Sequence, residues 1–205
     1  MNTSAASRIY SSLLQSHPKA NASITELSMT EAGTSFVQSC YKAFNFDLVK
    51  NASLRKSEVK EKSPDAIFLN GDALYFVEFK SGLWDKKDLR AKIHEGLTTL
   101  FQYSIKNKLI ERSEFFEIPL HYVVIATDRK KSHSLRSEST FLDALNLSMT
   151  YFGLSNLEGF ILKKTDLLSQ PDKVFQKLKE ITGDSLDDLV FICPQKGAVT
   201  FGNNP

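Results

Sequence analysis

The chain is poor in the residues that staple a fold or span a bilayer. It has 2 cysteines in 205 residues, far apart at Cys40 and Cys193. That excludes a disulfide framework and leaves no cysteine spacing suited to zinc. Two isolated thiols point to a reducing, cytoplasmic (intracellular) setting. No apolar run approaches membrane-spanning length and the N-terminus lacks a signal-peptide pattern, so no membrane partner is expected. The Asn-x-Ser/Thr matches at Asn2, Asn21, Asn51 and Asn146 therefore carry no glycosylation meaning. There is no Gly-rich phosphate loop, no nucleophile elbow and no internal repeat. Charge of one sign is also missing: the net charge is +2, too small to announce a polyanion partner by itself. With 41% hydrophobic residues, the length suits one domain with a real core.

What stands out against this background is Ser63 to Gly82, SPDAIFLNGDALYFVEFKSG. It reads as a β-hairpin whose apolar strands carry Asp65, Glu78 and Lys80. Charged residues are rarely buried without a partner or a metal. A divalent cation, with a nucleic-acid phosphate beside it, is the compensation these three residues suggest. Asn70-Gly71 between apolar runs is the strongest short hairpin signal. If those two residues form the loop, Leu69 sits opposite Asp72 and Asp65 opposite Phe76. Side chains alternate along a strand, so Asp65 then shares a face with Phe76, Glu78 and Lys80. Asp65 and Glu78 become diagonal neighbours, about 7–8 Å apart at the backbone and within reach of a common ion. A three-residue loop would put the two acids on opposite faces. An ordinary amphipathic hairpin with a Glu78–Lys80 surface pair is the plain alternative.

The remaining elements follow from periodicity. A weak helix is expected near Ala5–Gln15, as an arm or accessory element over residues 1–28, broken at His17-Pro18. Thr30-Glu31 opens a helix to about Phe44, with Phe36, Val37, Cys40 and Phe44 on one face. Phe46–Ser53 reads as a strand, ahead of the hairpin. Asp85 can cap a helix from Lys86 to about Leu109, with Ile93, Leu97, Leu100 and Phe101 inward. Pro119–Thr127 is a buried strand. A helix near Glu138–Tyr151, a strand at Leu157–Lys163, a helix at Lys173–Thr182 and short strands at Leu189–Cys193 and Ala198–Phe201 complete the chain. The fold class is α/β (α+β), a single domain with a central mixed sheet flanked by helices. Charge is uneven along it. Residues 50–62 carry five Lys/Arg against two Glu, residues 80–112 eight against four acids, and residues 128–136 four against one Asp. A basic side near the hairpin suits a polyanion, although a solvated charged face explains any single cluster equally well.

Pro64-Asp65 followed across a hairpin by Glu78-Phe79-Lys80 resembles the signature of the PD-(D/E)xK nuclease superfamily. The text match is short, and the hairpin, its apolar flanks and the shared face give it weight. The resemblance covers roughly Glu31 to Thr127 and implies a restriction-endonuclease-like core over about residues 30–127 within a domain of residues 29–205. Residues 128–205 would be family-specific decoration. It implies a metal-dependent nuclease, with an endodeoxyribonuclease favoured. Asp65 and Glu78, with the carbonyl of Phe79, would hold Mg²⁺, for which Mn²⁺ can substitute, and Lys80 would orient the attacking water. The residue types suit that chemistry, because Mg²⁺ prefers carboxylate and carbonyl oxygen.

In many members of the family an acid on the first helix adds a metal or water contact, which nominates Glu31, with Glu26 a weaker rival. The helix dipole alone also accounts for a Glu there. RecB-like members have a Gln on the helix after the Lys, with a Tyr four residues on. Gln102 fits, but Lys106 stands where that Tyr would be. Lys86, Lys87 and Arg90 sit where the strand–helix junction should approach nucleic acid, the expected partner, with DNA favoured. Trp84 and Tyr103 could stack on bases, while packing explains a lone aromatic more simply. His94, His121 and His133 lack metal or triad spacing. Alternatives from the same residues are a non-catalytic nucleic-acid-binding or regulatory module, and a ribonuclease. A homodimer or a subunit of a larger complex is compatible with the resemblance.

Overall fold

The computed structural model describes residues 3–30, 32–49, 62–81, 86–127, 157–159, 161–193 and 197–202. Glu31, Trp84, the Asp85 cap, His133, the helix expected near Glu138–Tyr151 and most of the basic stretches at 50–62 and 128–136 lie outside the described residues. Helices α1 (Ala5–Ser16), α2 (Ile24–Leu27), α3 (Lys86–Lys106), α4 (Arg112–Glu117) and α5 (Pro171–Ile181) surround two sheets. Strands β1 (Asn21–Ser23), β3 (Lys42–Asn45), β4 (Ala66–Asn70), β5 (Ala73–Lys80), β6 (Leu120–Ala126) and β7 (Lys164–Leu168) form a six-stranded mixed sheet in that spatial order. Strands β2 (Val37–Gln38), β8 (Asp188–Cys193) and β9 (Gly197–Gly202) form the smaller sheet, with β8 in the middle. β4 and β5 are antiparallel, whereas β5–β6 and β6–β7 are parallel. Among the described residues no helix is long and apolar enough to cross a membrane.

Both faces of the large sheet are covered, which is why β5 and β6 read as nearly continuous apolar runs. Alternation sorts their side chains into two cores. Ile67, Leu74, Phe76, Leu120, Tyr122 and Val124 face α1, α3 and α4, joining Ile9, Leu13, Ile93, Leu97 and Phe115. Ala66, Phe68, Tyr75, Val77, Phe79, Val123 and Ile125 face α5 and the small sheet, joining Val174, Leu178, Leu189 and Phe191. Helix α1 is therefore part of the main core: Ala6, Ile9 and Leu13 are buried in it. The inward stripe expected for α3 is present, with Ile93, Leu97 and Leu100 buried and Phe101 half-buried.

Several local expectations are corrected. Residues 32–44 are not helical. Met29 bridges Ser35, Val37–Gln38 pairs with β8, and Lys42–Asn45 joins the large sheet. Gly33 takes φ +75°, the hydroxyls of Thr30 and Thr34 bond each other at 2.9 Å, and Gly33 N–H donates to Thr30 O. These local bonds close a turn that competes with a helix. Phe36 and Val37 then both enter the core by pairing with β8, a long-range contact that a helical period cannot anticipate. Helical structure at residues 47–49 replaces the start of the strand expected from Phe46, and residues 50–53 lie outside the described set. Residues 157–159 and 161–163 turn rather than extend. Gly159 at φ +75° donates to Leu162 O, and the strand begins only at Lys164.

The hairpin keeps a two-residue loop, but one residue further on. Asn70 pairs with Ala73, Leu69 with Leu74 and Ala66 with Val77, so Gly71 and Asp72 turn the chain. Gly71 has φ +60° and Asp72 is not in the positive-φ region, the signs of a type II′ turn rather than I′. Asn70 stays in the ladder because its side-chain amide donates to Glu180 O at the end of α5, at 2.8 Å.

The segment entering β4 is seated on α3 through a glycine. A Cβ at Gly96 would lie 2.6 Å from Cδ of buried Pro64. Gly96→Ala is expected to cost about 1–3 kcal/mol, because a proline ring cannot swing aside as a flexible side chain would. Thermal melts read this as a drop of about 2–4 °C per kcal/mol. An unchanged melting temperature would contradict the close approach.

Candidate active site

Two parallel strands end together at β5 and β6, with Lys80 opposite Ala126. In open α/β sheets the crevice beyond the carboxyl ends of strands is where ligands bind. Glu78 and Lys80 stand at that end of β5, on the face turned toward α3. Glu78 takes a position that the alternation of Leu74 and Phe76 assigns to the apolar core, and its side chain is 0% exposed. Continuing the hairpin ladder one residue past Ala66–Val77 brings Asp65 directly opposite Glu78. The shift of the turn thus preserves the shared face and brings the two acids closer than the diagonal placement expected from Asn70-Gly71.

Helix α3 supplies the opposite wall. Asp88, Lys92 and Gly96 recur every four residues and so line one face. Gly96 meets Pro64. Lys92 Nζ lies 2.6 Å from Glu78 Oε1 and 3.3 Å from Asp65 Oδ1. Lys80 Nζ lies 2.8 Å from the same Glu78 Oε1 and 3.6 Å from Asp88 Oδ2. Lys62 pairs with the other oxygen of Asp88, and its backbone N–H donates to Glu95. Asp65 is fixed from both sides. Its Oδ2 accepts from Phe79 N–H at 2.7 Å, and its carbonyl accepts from Phe46 N–H. Next to it, Ser63 donates to Asp47.

Electrostatics follow from this packing. Burial pushes the Glu78 carboxyl up to about 7, and the Asp65 charge adds to the push; the ammoniums of Lys92 and Lys80 pull the other way and do not cancel it. Burial also raises Asp65, opposed by Lys92 and the Phe79 N–H. Burial works against the charge on Lys92, yet Glu78 and Asp65 together hold its ammonium well above the usual lysine value. Burial of Asp88 works upward too, but the Lys62 hydrogen bond and the charges of Lys80, Lys62 and Lys92 outweigh it, so its carboxyl sits below the usual range. Two buried polar atoms on this face have no hydrogen-bond partner among the described residues, Glu78 Oε2 and Tyr122 Oη. Burial, followed by the charges of Glu78, Asp65 and Asp88, raises the Tyr122 phenol, which places its hydroxyl within the field of the acids.

Of the residues nominated from sequence, Asp65, Glu78, Phe79 and Lys80 come together. Arg90 is exposed on α3. Lys86 and Lys87 open that helix, and their side chains lie outside the described residues. Glu26 caps α2 through Ser23 instead of joining the site. Gln102 is also apart from it. Ten residues along α3 from Lys92, it is about 15 Å away and exposed. Tyr103 bonds Ser12 and Ser16 of α1 and so braces the helices. His94 is exposed, and half-buried His121 stacks on Tyr75 at 4.5 Å on the opposite face of the sheet.

Sequence reasoning missed Lys92 and Asp88. The available signal was their spacing: Asp88 and Lys92 flank the buried stripe that Leu89 and Ile93 begin. A Lys at the edge of an inward stripe is ordinarily a solvated or snorkelling side chain, so the spacing alone did not single it out.

The donor set fits a hard divalent cation: two opposed carboxylates, one with an unpartnered buried oxygen, beside the Phe79 peptide. Among the described residues no group of three or more His, Cys, Asp or Glu side chains gathers to hold a metal, so any ion held here would keep several waters, as Mg²⁺ does. No protein-family model, curated protein or solved structure matches the chain.

Proposed function

We propose that this chain is a Mg²⁺-dependent phosphodiesterase acting on nucleic acid, most simply an endodeoxyribonuclease of the PD-(D/E)xK kind. The observation that carries the reading is the convergence of Asp65, Glu78 and Lys80 at the carboxyl ends of β5 and β6. The resemblance implies a core of helix, three strands, helix and strand, and α1, β3–β5, α3 and β6 follow that order, with β1, α2 and β2 between α1 and β3. Both cysteines are free thiols, Cys40 exposed and Cys193 buried, in keeping with an intracellular site of action.

In this reading Asp65 and Glu78 would hold the cation, with the Phe79 carbonyl beside them. When bound, the ion supplies Lewis acidity at the phosphate and charge stabilisation as the bridging P–O bond breaks. Lys80 orients the water whose oxygen forms the new P–O bond, and its fixed positive charge offsets negative charge growing on the phosphoryl oxygens. Lys62, Lys80 and Lys92 face Asp65, Glu78 and Asp88 in direct ion pairs, with the carboxylates of Asp47 and Glu95 close by. A divalent cation would offset this excess of carboxylates, which suits an incoming phosphodiester.

A second reading is favoured by the ion pairs themselves. Glu78 Oε1 is already held by two ammoniums, so the same residues also serve as a structural ion cluster in a nuclease-like binding or regulatory module, with Glu78 Oε2 left unpartnered among the described residues. Incubating the purified chain with plasmid, linear and single-stranded DNA and with RNA, in Mg²⁺, Mn²⁺ or EDTA, separates the two. Cleavage that requires the cation is expected, and its dependence on substrate distinguishes deoxyribonuclease from ribonuclease. Binding without cleavage of any substrate in either metal would leave the binding module.

A further inference from the structure

We propose that Lys92 is an exchangeable internal counter-ion: its ammonium and a divalent cation hold the Asp65–Glu78 pair in turn, so loading the metal requires Lys92 to leave. The inference rests on the metal-dependent reading of this site and adds a residue outside the Asp65, Glu78 and Lys80 signature.

The geometry is specific to one lysine. Among the described residues a single ammonium, Lys92 Nζ, reaches both acids, 2.6 Å from Glu78 and 3.3 Å from Asp65. That is the position common to the two carboxylates, and an ion taking one oxygen from each would need the same lone pairs. Mg²⁺ binds carboxylate oxygen at about 2.0–2.1 Å, and an ammonium and a dication crowded onto one pair of carboxylates repel strongly in a site with little water. Lys80 does not compete in this way, since it contacts Glu78 and Asp88 but makes no ion pair with Asp65. Without either cation, buried Glu78 and half-buried Asp65 would share one ammonium, since Lys80 pairs with Glu78 and makes no ion pair with Asp65. Lys92 answers that need in the metal-free chain.

A landing place for the displaced ammonium is built into the same helix. Asp88 lies four residues before Lys92 on the α3 face, in the favourable acid-before-base order, and its side chain is 28% exposed. Asp88 already pairs with Lys62 and Lys80, so the displaced ammonium joins a shared carboxylate as it passes from the buried floor of the site to its more exposed rim. There it adds positive charge on the side from which a phosphate would arrive.

The test reads metal binding without nucleic acid. Isothermal titration of Mn²⁺ into the full chain is expected to show Lys92→Met binding about tenfold tighter than wild type or better, because the competing charge is gone, with Lys92→Arg no tighter than wild type. Equal or weaker binding by Lys92→Met overturns the proposal. Wild-type protein provides an independent measurement should Lys92→Met not fold. Amine acetylation of Lys92, followed by mass spectrometry, is expected to be slow in EDTA and severalfold faster at saturating Mg²⁺. Unchanged protection at saturation overturns the exchange and leaves the nuclease reading standing. Folded wild-type protein that takes up neither Mg²⁺ nor Mn²⁺ overturns both.

Discussion

Lys80→Ala is expected to reduce Mg²⁺-dependent cleavage by about a thousandfold or more while leaving the protein folded. In the proposed mechanism the activity loss follows from removing the one cation on β5, which touches Glu78, the acid proposed to hold the metal. The tolerance of the fold follows from the contacts that remain. Glu78 keeps Lys92 at 2.6 Å, Asp88 keeps Lys62, and the Lys80 side chain is 16% exposed rather than sealed in the core. Initial rates on plasmid DNA across a Mg²⁺ titration, with circular-dichroism melts of the same samples, measure both quantities. Cleavage within a few-fold of wild type would remove Lys80 from the mechanism. Asp65→Ala should also abolish cleavage, but it is a less clean probe. It strips the Phe79 N–H of its acceptor and Lys92 of one of its two partners, so activity and stability fall together.

In the metal-free protein, the stability gap between Glu78→Gln and wild type should widen in the mutant's favour as pH rises from about 4.5 to about 7. Burial raises the folded-state value of Glu78 from 4.5 to about 7. Across that interval the native state keeps a proton that the unfolded chain has released, so this group makes stability fall as pH rises. The penalty is fully present above about 7, absent below 4.5, and of order 3 kcal/mol from the size of the shift. Lys92 has the opposite linkage. Its raised value contributes stability throughout this interval and loses it only at alkaline pH. Glutamine keeps the shape of Glu78 without the titration. Urea melts of both proteins at several pH values in EDTA therefore isolate it, and parallel stability–pH curves would mean that Glu78 does not titrate in this range.

The acid pair shows how a site can be legible in sequence while its register is not. Alternation along β4 and β5 fixes which residues share a face, since any two-residue loop at this turn keeps Asp65 and Glu78 together. Which two residues turn is decided elsewhere. Asn70 is held in the ladder by the carbonyl of Glu180, 110 residues away, and that contact makes the acids direct opposites. The strands β5 and β6 and the helices α3 and α5 were readable because their apolar pattern is long and uninterrupted, whereas α1 read only as a weak accessory helix and its place in the main core is set by tertiary packing. Residues 32–44 were not, because the spacing of Phe36, Val37 and Phe44 fits a helix until β8 offers Val37 a partner.

The sequence by itself determined an α/β chain with a hairpin carrying two acids and a lysine on one face, because strand alternation and turn chemistry are local properties. The tertiary structure alone decided how those charges are neutralised. Lys92 and Asp88 come from a helix that meets the strand ends only after the crossover from β5 to β6 has folded back over the sheet, with Gly96 letting that helix close onto Pro64. Burial and opposed charge depend on what lies across the crevice, and no spacing along the chain encodes that distance.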